Sequence, residues 1–238
     1  MKTRPILFSA PMMRALLDGS KTQTRRVCKP AATLSEVVGI QDPRDFGQSP
    51  LQIASSGWFG DAEGDVQFAC PYGQPGDRLW VREAFRTEES YDHIKPSLLV
   101  ALDGKNLCVP YWRAADLSCD DFSRALDGLR PGKCRPGMFM PRAASRITLE
   151  ITGVRVERLQ NISAADAFDE GIKITVDAGT KEPLMRLIGK FPPATYIEGN
   201  GLVIAEYASL WECINGAGSW ASNPWVWVVI FKRIGENK

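Results

Sequence analysis

The stretch Arg146 to Leu159 limits the possible folds more than any other part of the chain. Ile147, Leu149 and Ile151 alternate with polar neighbours, Gly153 interrupts, and Val154 and Val156 resume the alternation. A period of two is the side-chain repeat of a half-buried strand, and the glycine predicts a bulge. A strand this long can curve around a small barrel. The chain closes on a second such element, where Asn223-Pro224 leads into the nearly continuous apolar run Trp225 to Phe231. That run predicts a strand buried on both sides or closing a barrel.

Shorter elements are read around these two. Ile6-Leu7-Phe8 before Pro11 predicts a buried strand and a helix start; Met12, Met13, Leu16 and Leu17 give that helix its apolar face, and Gly19 ends it. Ser20 to Val27 reads as a helix end running into a strand. Pro75-Gly76-Asp77 is a turn that delivers a strand with Leu79, Val81 and Phe85. Ser163 and Asp166 have capping-box spacing, so a short helix Ala164 to Glu170 is expected, stopped by Gly171. Ile204, Tyr207, Ala208, Trp211 and Ile214 define a helix over Val203 to Ile214. The weakly patterned stretches 31–74, 86–137 and 173–201 read as three insertions, the first pinned by Trp58 and Phe59 and the third a mobile loop or lid. The expected fold is therefore mainly β with flanking helices (α+β), a single 1–238 domain built on a small, mainly antiparallel barrel.

Composition narrows the function. The chain is 238 residues, 44% hydrophobic and 24% charged, which excludes disorder, collagen and coiled coil. A net charge of +1 gives no global field toward nucleic acid or membrane. With no apolar run near the roughly 20 residues of a membrane span and no signal peptide, a cytoplasmic protein, monomeric or a small homo-oligomer, is expected. Six scattered cysteines without C-x-x-C read as reduced thiols, and His93 is the single histidine. No metal and no cofactor are expected, and a Ser-His-Asp or Cys-His site would have to use His93, in a stretch that reads as a solvated loop.

Three signals carry possible chemistry. Residues 1–30 hold Lys2, Arg4, Arg14, Lys21, Arg25, Arg26 and Lys29 against the single acid Asp18, a local charge of +6. This suits a phosphate-bearing ligand, although acids elsewhere in the fold can offset it. Lys21 and Thr24 fall on one side if their segment is a helical turn, and like charge from Arg25 and Arg26 disfavours the ammonium, preparing a base for the hydroxyl. The plainer alternative is a lysine placed at a helix C-terminus by the macrodipole. Glu170, an acid at a helix C-terminus, asks for a nearby cation, and Lys21 can be it. Among weaker patterns, Gly216-Ala-Gly218-Ser-Trp-Ala221 follows a helix and not a strand, so no dinucleotide site is read there. Of the Trp-rich end, Trp220 in its Gly/Ser/Asn loop is the candidate for stacking on a base.

These pieces in this order resemble the ASCH domains of the PUA-like superfamily. The matching segments are the opening strand and helix, Gly19-Ser20-Lys21-Thr22-Gln23-Thr24-Arg25-Arg26, Gly76-Asp77-Arg78-Leu79-Trp80-Val81, Ala165 to Gly171, and the terminal strand. Nearly the whole chain looks like the longer ASCH proteins of bacteriophages and prophages. The resemblance implies a small β-barrel with a cleft for RNA or a modified nucleoside. One ASCH branch, the bacterial N4-acetylcytidine amidohydrolases, has a G-x-K-T-x-T-x-R segment and a glutamate in the helix before the later strand. By that resemblance Lys21 is the general base, Thr24 the nucleophile and Glu170 the acid that protonates the departing amine. Catalytic members are about half this length, so the insertions separate the matched segments and leave the substrate open.

Three classes follow: an amidohydrolase acting on N4-acylated cytosine, a non-catalytic module binding RNA, DNA or a modified base, and an accessory factor acting through a host protein. Lys21, Arg25 and Arg26 would contact phosphate in the second, and the acidic 86–127 stretch would be the contact surface in the third.

Overall fold

The computed structural model describes residues 1–40, 58–61, 67–99, 112–113, 130, 132–173 and 200–236. In chain order these form β1 (Thr3–Leu7), α1 (Ala10–Leu17), β2 (Gln23–Val27), β3 (Val38–Ile40), β4 (Trp58–Gly60), β5 (Gln67–Ala69), β6 (Arg78–Arg82), β7 (Phe85–Arg86), α2 (Pro96–Leu99), β8 (Trp112–Arg113), β9 (Ile147–Arg158), α3 (Ala164–Asp169), α4 (Asn200–Asn215) and β10 (Trp225–Glu236). The architecture is mixed α+β and dominated by strands. Five of them follow the hydrogen-bonded order β1-β6-β9-β10-β2. The chain divides into two compact units, Met1–Gly19 with Gly76–Ile151 and Phe231–Lys238, and Ser20–Pro75 with Thr152–Ile230.

In the first unit β1 runs parallel to β6, with Ile6 opposite Val81, and β6 runs antiparallel to the opening of β9, with Leu79 opposite Leu149. Pro11 opens α1 and Gly19, at φ +81°, closes it in the left-handed region that glycine tolerates. Ile147, Leu149 and Ile151 are buried as their alternation requires. Phe85, Met140 and Ala144 form a smaller core cluster of this unit.

The second unit carries the remainder of β9. Its burial alternation changes phase at Gly153–Val154, so Val154 and Val156 lie on one face and Arg155 and Glu157 on the other. The body of β10 pairs antiparallel with β2, Val228 opposite Arg25 and Val229 opposite Thr24. One face of β10, Val226 and Val228, packs with Leu159, Ile162, Ala167, Val203, Tyr207 and Trp211 under α3 and α4. On the opposite face Trp227 lies edge-on to Phe59 and Phe68, with ring centroids 5.1 and 5.7 Å away.

Several expectations change. The 31–74 stretch is not wholly irregular: β3, β4 and β5 make an antiparallel three-stranded sheet. Phe59 pins it against Trp227, but Trp58, its neighbour along β4, points the other way and is 36% exposed. Ser20 to Val27 runs into a strand as expected, and because that strand begins at Gln23 the Lys21–Thr24 segment is not a helical turn. The terminal strand continues past Phe231 to Glu236. Most of the acidic 86–127 stretch, and the 173–201 stretch beyond its first and last residues, lie outside the described residues.

Candidate functional site

The second unit gathers a group of charges on the helix-covered face of its strands. Strand alternation sends Gln23 and Arg25 of β2 to that face, and Lys21, two residues earlier, reaches the same carboxylates. Across from them α3 presents Asp166 at its third position and Glu170 at its C-cap. The chains are tied by a backbone bridge between Lys21 and Glu170 and by Thr22 N–H donating to the Asp169 carbonyl at 2.8 Å. The capping box is complete: Ser163 Oγ accepts from the Asp166 N–H, and the Asp166 carboxylate accepts from the Ser163 N–H.

Lys21 Nζ donates to Glu170 Oε2 at 2.7 Å and to the Glu170 carbonyl at 2.8 Å. Its side chain is 0% exposed and that of Glu170 is 4% exposed. Burial lowers the Lys21 pKa below its ordinary value; Glu170 pulls it back up, and Arg26 and Arg25 push it down again. The net direction is toward a neutral amine. The cation Glu170 asked for at a helix end is therefore Lys21.

Arg25 holds the rest of the group together. It donates to Glu157 at 2.6 Å and lies 3.3 Å from Asp166 and 3.4 Å from Glu170. Burial opposes its charge, but Glu170 and Glu157 more than offset this and raise its pKa. Arg155 from β9 contacts Glu157 at 2.9 Å and Asp166 at 2.8 Å, and Gln23 Nε2 donates to the Asp166 carbonyl and carboxylate. For Asp166, burial raises the pKa, but hydrogen bonds from Gln23 and Ser163 and the Arg25 charge hold the carboxyl well below the usual range. Three cations thus face three carboxylates. From α4, Tyr207 places its ring 5.9 Å under the Arg25 guanidinium. Burial, followed by the Glu170 charge, pushes its phenol well above the ordinary pKa.

The structure thus brings together Lys21, Arg25 and Glu170. It turns Thr24 and Arg26 to the opposite face of β2, where Trp227 stands across from Arg26. The expectation that Lys21 and Thr24 share a side fails because a strand, not a helical turn, separates them. Arg25, expected on a phosphate, is buried among carboxylates instead. Trp220, expected to stack on a base, is half-buried against the α3–α4 core, edge-on to Tyr207 at 6.3 Å. Sequence reasoning missed Gln23, Arg155, Glu157, Asp166 and Tyr207. Two signals were available: the odd-numbered polar series Lys21, Gln23, Arg25, and the charged pair Arg155/Glu157 at the polar positions of β9 after its alternation changes phase.

Among the described residues no group of histidine, cysteine, aspartate and glutamate is arranged to hold a metal ion, and no helix is long and apolar enough to cross a membrane. No family model, curated protein or solved structure matches this chain.

Proposed function

We propose that this chain is a nucleoside- or nucleic-acid-directed protein of the ASCH, PUA-like kind, and that it removes the acyl group from N4-acylated cytosine. The observation that carries this reading is the buried 2.7 Å contact between Lys21 Nζ and Glu170 Oε2. Burial lowers the Lys21 pKa, which favours a neutral amine next to the Glu170 carboxylate. Lys21 then takes a proton and relays it across 2.7 Å to Glu170, which passes it onward, giving the two transfers that amide hydrolysis needs. Water adds to the acyl carbonyl as Lys21 takes its proton; the bond from the acyl carbon to N4 then breaks as Glu170 protonates the departing amine. The products are cytidine and a carboxylic acid. The resemblance makes Thr24 the nucleophile, but the alternation of β2 turns it away from Lys21, so water takes that role here. The strand-dominated α+β architecture is compatible with a PUA-like scaffold.

The test is conversion of N4-acetylcytidine to cytidine, followed by chromatography. Lys21→Met and Glu170→Gln are expected to lower turnover by about 100-fold or more, and Thr24→Val to retain it. Loss in Thr24→Val would restore the hydroxyl as nucleophile. A folded wild type without turnover overturns the hydrolase.

One observation favours a second reading, a non-catalytic module for RNA or a modified base: Lys21, Arg25 and Arg155 are all paired within the unit, as ion pairs that hold a scaffold are, so such a module meets phosphate elsewhere than at Lys21 and Arg25. Such a module binds N4-acetylcytidine in equilibrium dialysis without converting it.

A further inference from the structure

The stretch Arg130 to Arg146 carries five cations, Arg130, Lys133, Arg135, Arg142 and Arg146, and no acidic residue, in a chain of net charge +1. Two of the five act within the first unit. Arg135 donates to the carbonyls of Tyr91 and Ile94, both at 2.9 Å, and Arg146 pairs with Glu83. Arg130, Lys133 and Arg142 are exposed. Among the described residues no carboxylate forms an ion pair with their charged groups.

Between Lys133 and Arg142 the tight turn Gly137–Phe139 presents Met138 at 58% and Phe139 at 56% exposure. Leu7, at the end of β1 and 46% exposed, lies against the same turn: a Cβ on Gly137 would stand 2.6 Å from Leu7 Cδ1. The turn is firmly mounted. Phe139 N–H donates to the Pro136 carbonyl and Met140 N–H to the Gly137 carbonyl, while the Met140 side chain is buried and its sulfur accepts from the Glu83 N–H at 3.4 Å. A ring held out on a fixed turn loses little freedom when something stacks on it.

We propose that this face of the first unit binds single-stranded nucleic acid, with a base stacked on Phe139 and phosphates against Arg142 and Lys133. Single-strand recognition combines cations that track the backbone with aromatic faces that accept any base, and this surface has both within ten residues of chain. A duplex keeps its base faces stacked and out of reach of Phe139. A membrane surface calls for a broad apolar stripe such as an amphipathic helix provides, whereas here three side chains sit on a turn and a strand end. Neither Lys21 nor Glu170 enters this surface, so the binding stands apart from acyl-cytidine hydrolysis.

The test is fluorescence anisotropy of the intact chain with a labelled oligouridylate of about 12 nucleotides. Phe139→Ala is expected to weaken binding about tenfold. Joint replacement of Lys133 and Arg142 by alanine is expected to weaken it and to reduce the log–log salt slope by about 1.4. Lys173→Ala, an exposed lysine of the other unit, serves as the control and leaves affinity unchanged. Thermal unfolding checks that each variant is folded. No binding at about 50 mM salt, losses equal to that of Lys173→Ala, or tighter binding of a duplex of the same length each overturn the proposal. So does Phe139-dependent cosedimentation with phosphatidylserine vesicles that exceeds oligonucleotide binding, which would assign the face to a membrane. Turnover of N4-acetylcytidine is read separately, and its absence leaves these outcomes as they are.

Discussion

Each unit holds a buried glutamate by a long-range ion pair, Glu170 with Lys21 in one and Glu83 with Arg146 in the other, and the two pairs differ in ways that matter for chemistry. Arg146 grips Glu83 with two parallel bonds, Nε to Oε1 at 3.0 Å and Nη2 to Oε2 at 3.1 Å, and keeps 22% of its side chain exposed. A guanidinium in that fork keeps its proton and fixes geometry. Lys21 is a single ammonium point, wholly buried, whose proton is loosened by burial. The first arrangement ties the residue after β6 to the residue before β9. The second sets a lone ammonium where burial opposes its charge.

The sharpest way to break this contrast is to neutralise each glutamate in turn. Glu170→Gln leaves Lys21 buried without its partner, and removing one member of a buried pair costs about 3–5 kcal/mol. Glu83→Gln leaves Arg146 able to turn to water, so a smaller loss of about 1–3 kcal/mol is expected. Urea unfolding midpoints decide it, and equal losses would mean that the two pairs serve the same structural purpose.

Titration sharpens the contrast further. Because the Lys21 pKa is lower in the folded chain than the ordinary 10.5, the unfolded chain binds more protons between the two values, and stability rises with pH across that window. Lys21→Met should flatten that rise, with measurements kept below about pH 10, the ordinary value of a tyrosine. Glu170→Gln removes a charge that raises the Lys21 pKa, so the Nζ resonance followed by NMR should titrate at lower pH than in the wild type. An unchanged titration would place the charges farther apart than 2.7 Å implies.

Much of this was legible in the sequence, and what was not has identifiable causes. The alternation of Ile147, Leu149 and Ile151, the glycine stop at Gly171 and the Ser163–Asp166 box are local signals, and local geometry follows them directly. The need of Glu170 for a cation was legible for the same reason, since a helix end disfavours an acid whatever surrounds it. Which face of β2 each residue takes was not, because it depends on where the strand begins. A start at Gln23 sends Arg25 inward among carboxylates and Thr24 outward, whereas a helical turn would have put Lys21 and Thr24 together. Glu157 and Arg155 read as ordinary polar positions of an alternating strand, and their role appears only when β9 lies across from α3.

Asp166 separates structure from chemistry within the candidate site. Its folded pKa lies below the ordinary carboxylate value, so its contribution to stability is complete above about pH 4 and is lost as pH falls through the folded value. Asp166→Asn keeps a partner for Gln23 but loses charge against Arg25 and Arg155, and should cost about 2 kcal/mol near neutral pH with a flatter acid limb. Chemical unfolding from pH 7 to pH 2 reads both, and a variant with the wild-type acid limb would show that another carboxylate carries it.

The smallest expected effect tests whether α3 positions Glu170 or merely carries it. Ser163 Oγ accepts from the Asp166 N–H at 3.1 Å and donates to Asp166 Oδ2 at 2.8 Å, so it fixes the start of a six-residue helix whose C-cap is Glu170. Ser163→Ala removes a helix cap worth about 1 kcal/mol. In so short a helix, loosening the first turn is felt one turn later, where the Glu170 N–H donates to the Asp166 carbonyl at 2.9 Å. The Lys21 Nζ titration is the informative readout. A shift to lower pH in Ser163→Ala, matched to the loss of cap stability, means that the capping box sets the 2.7 Å contact. An unmoved titration with the same loss of stability means that the Lys21–Glu170 backbone bridge alone holds the pair, and that α3 is scaffold.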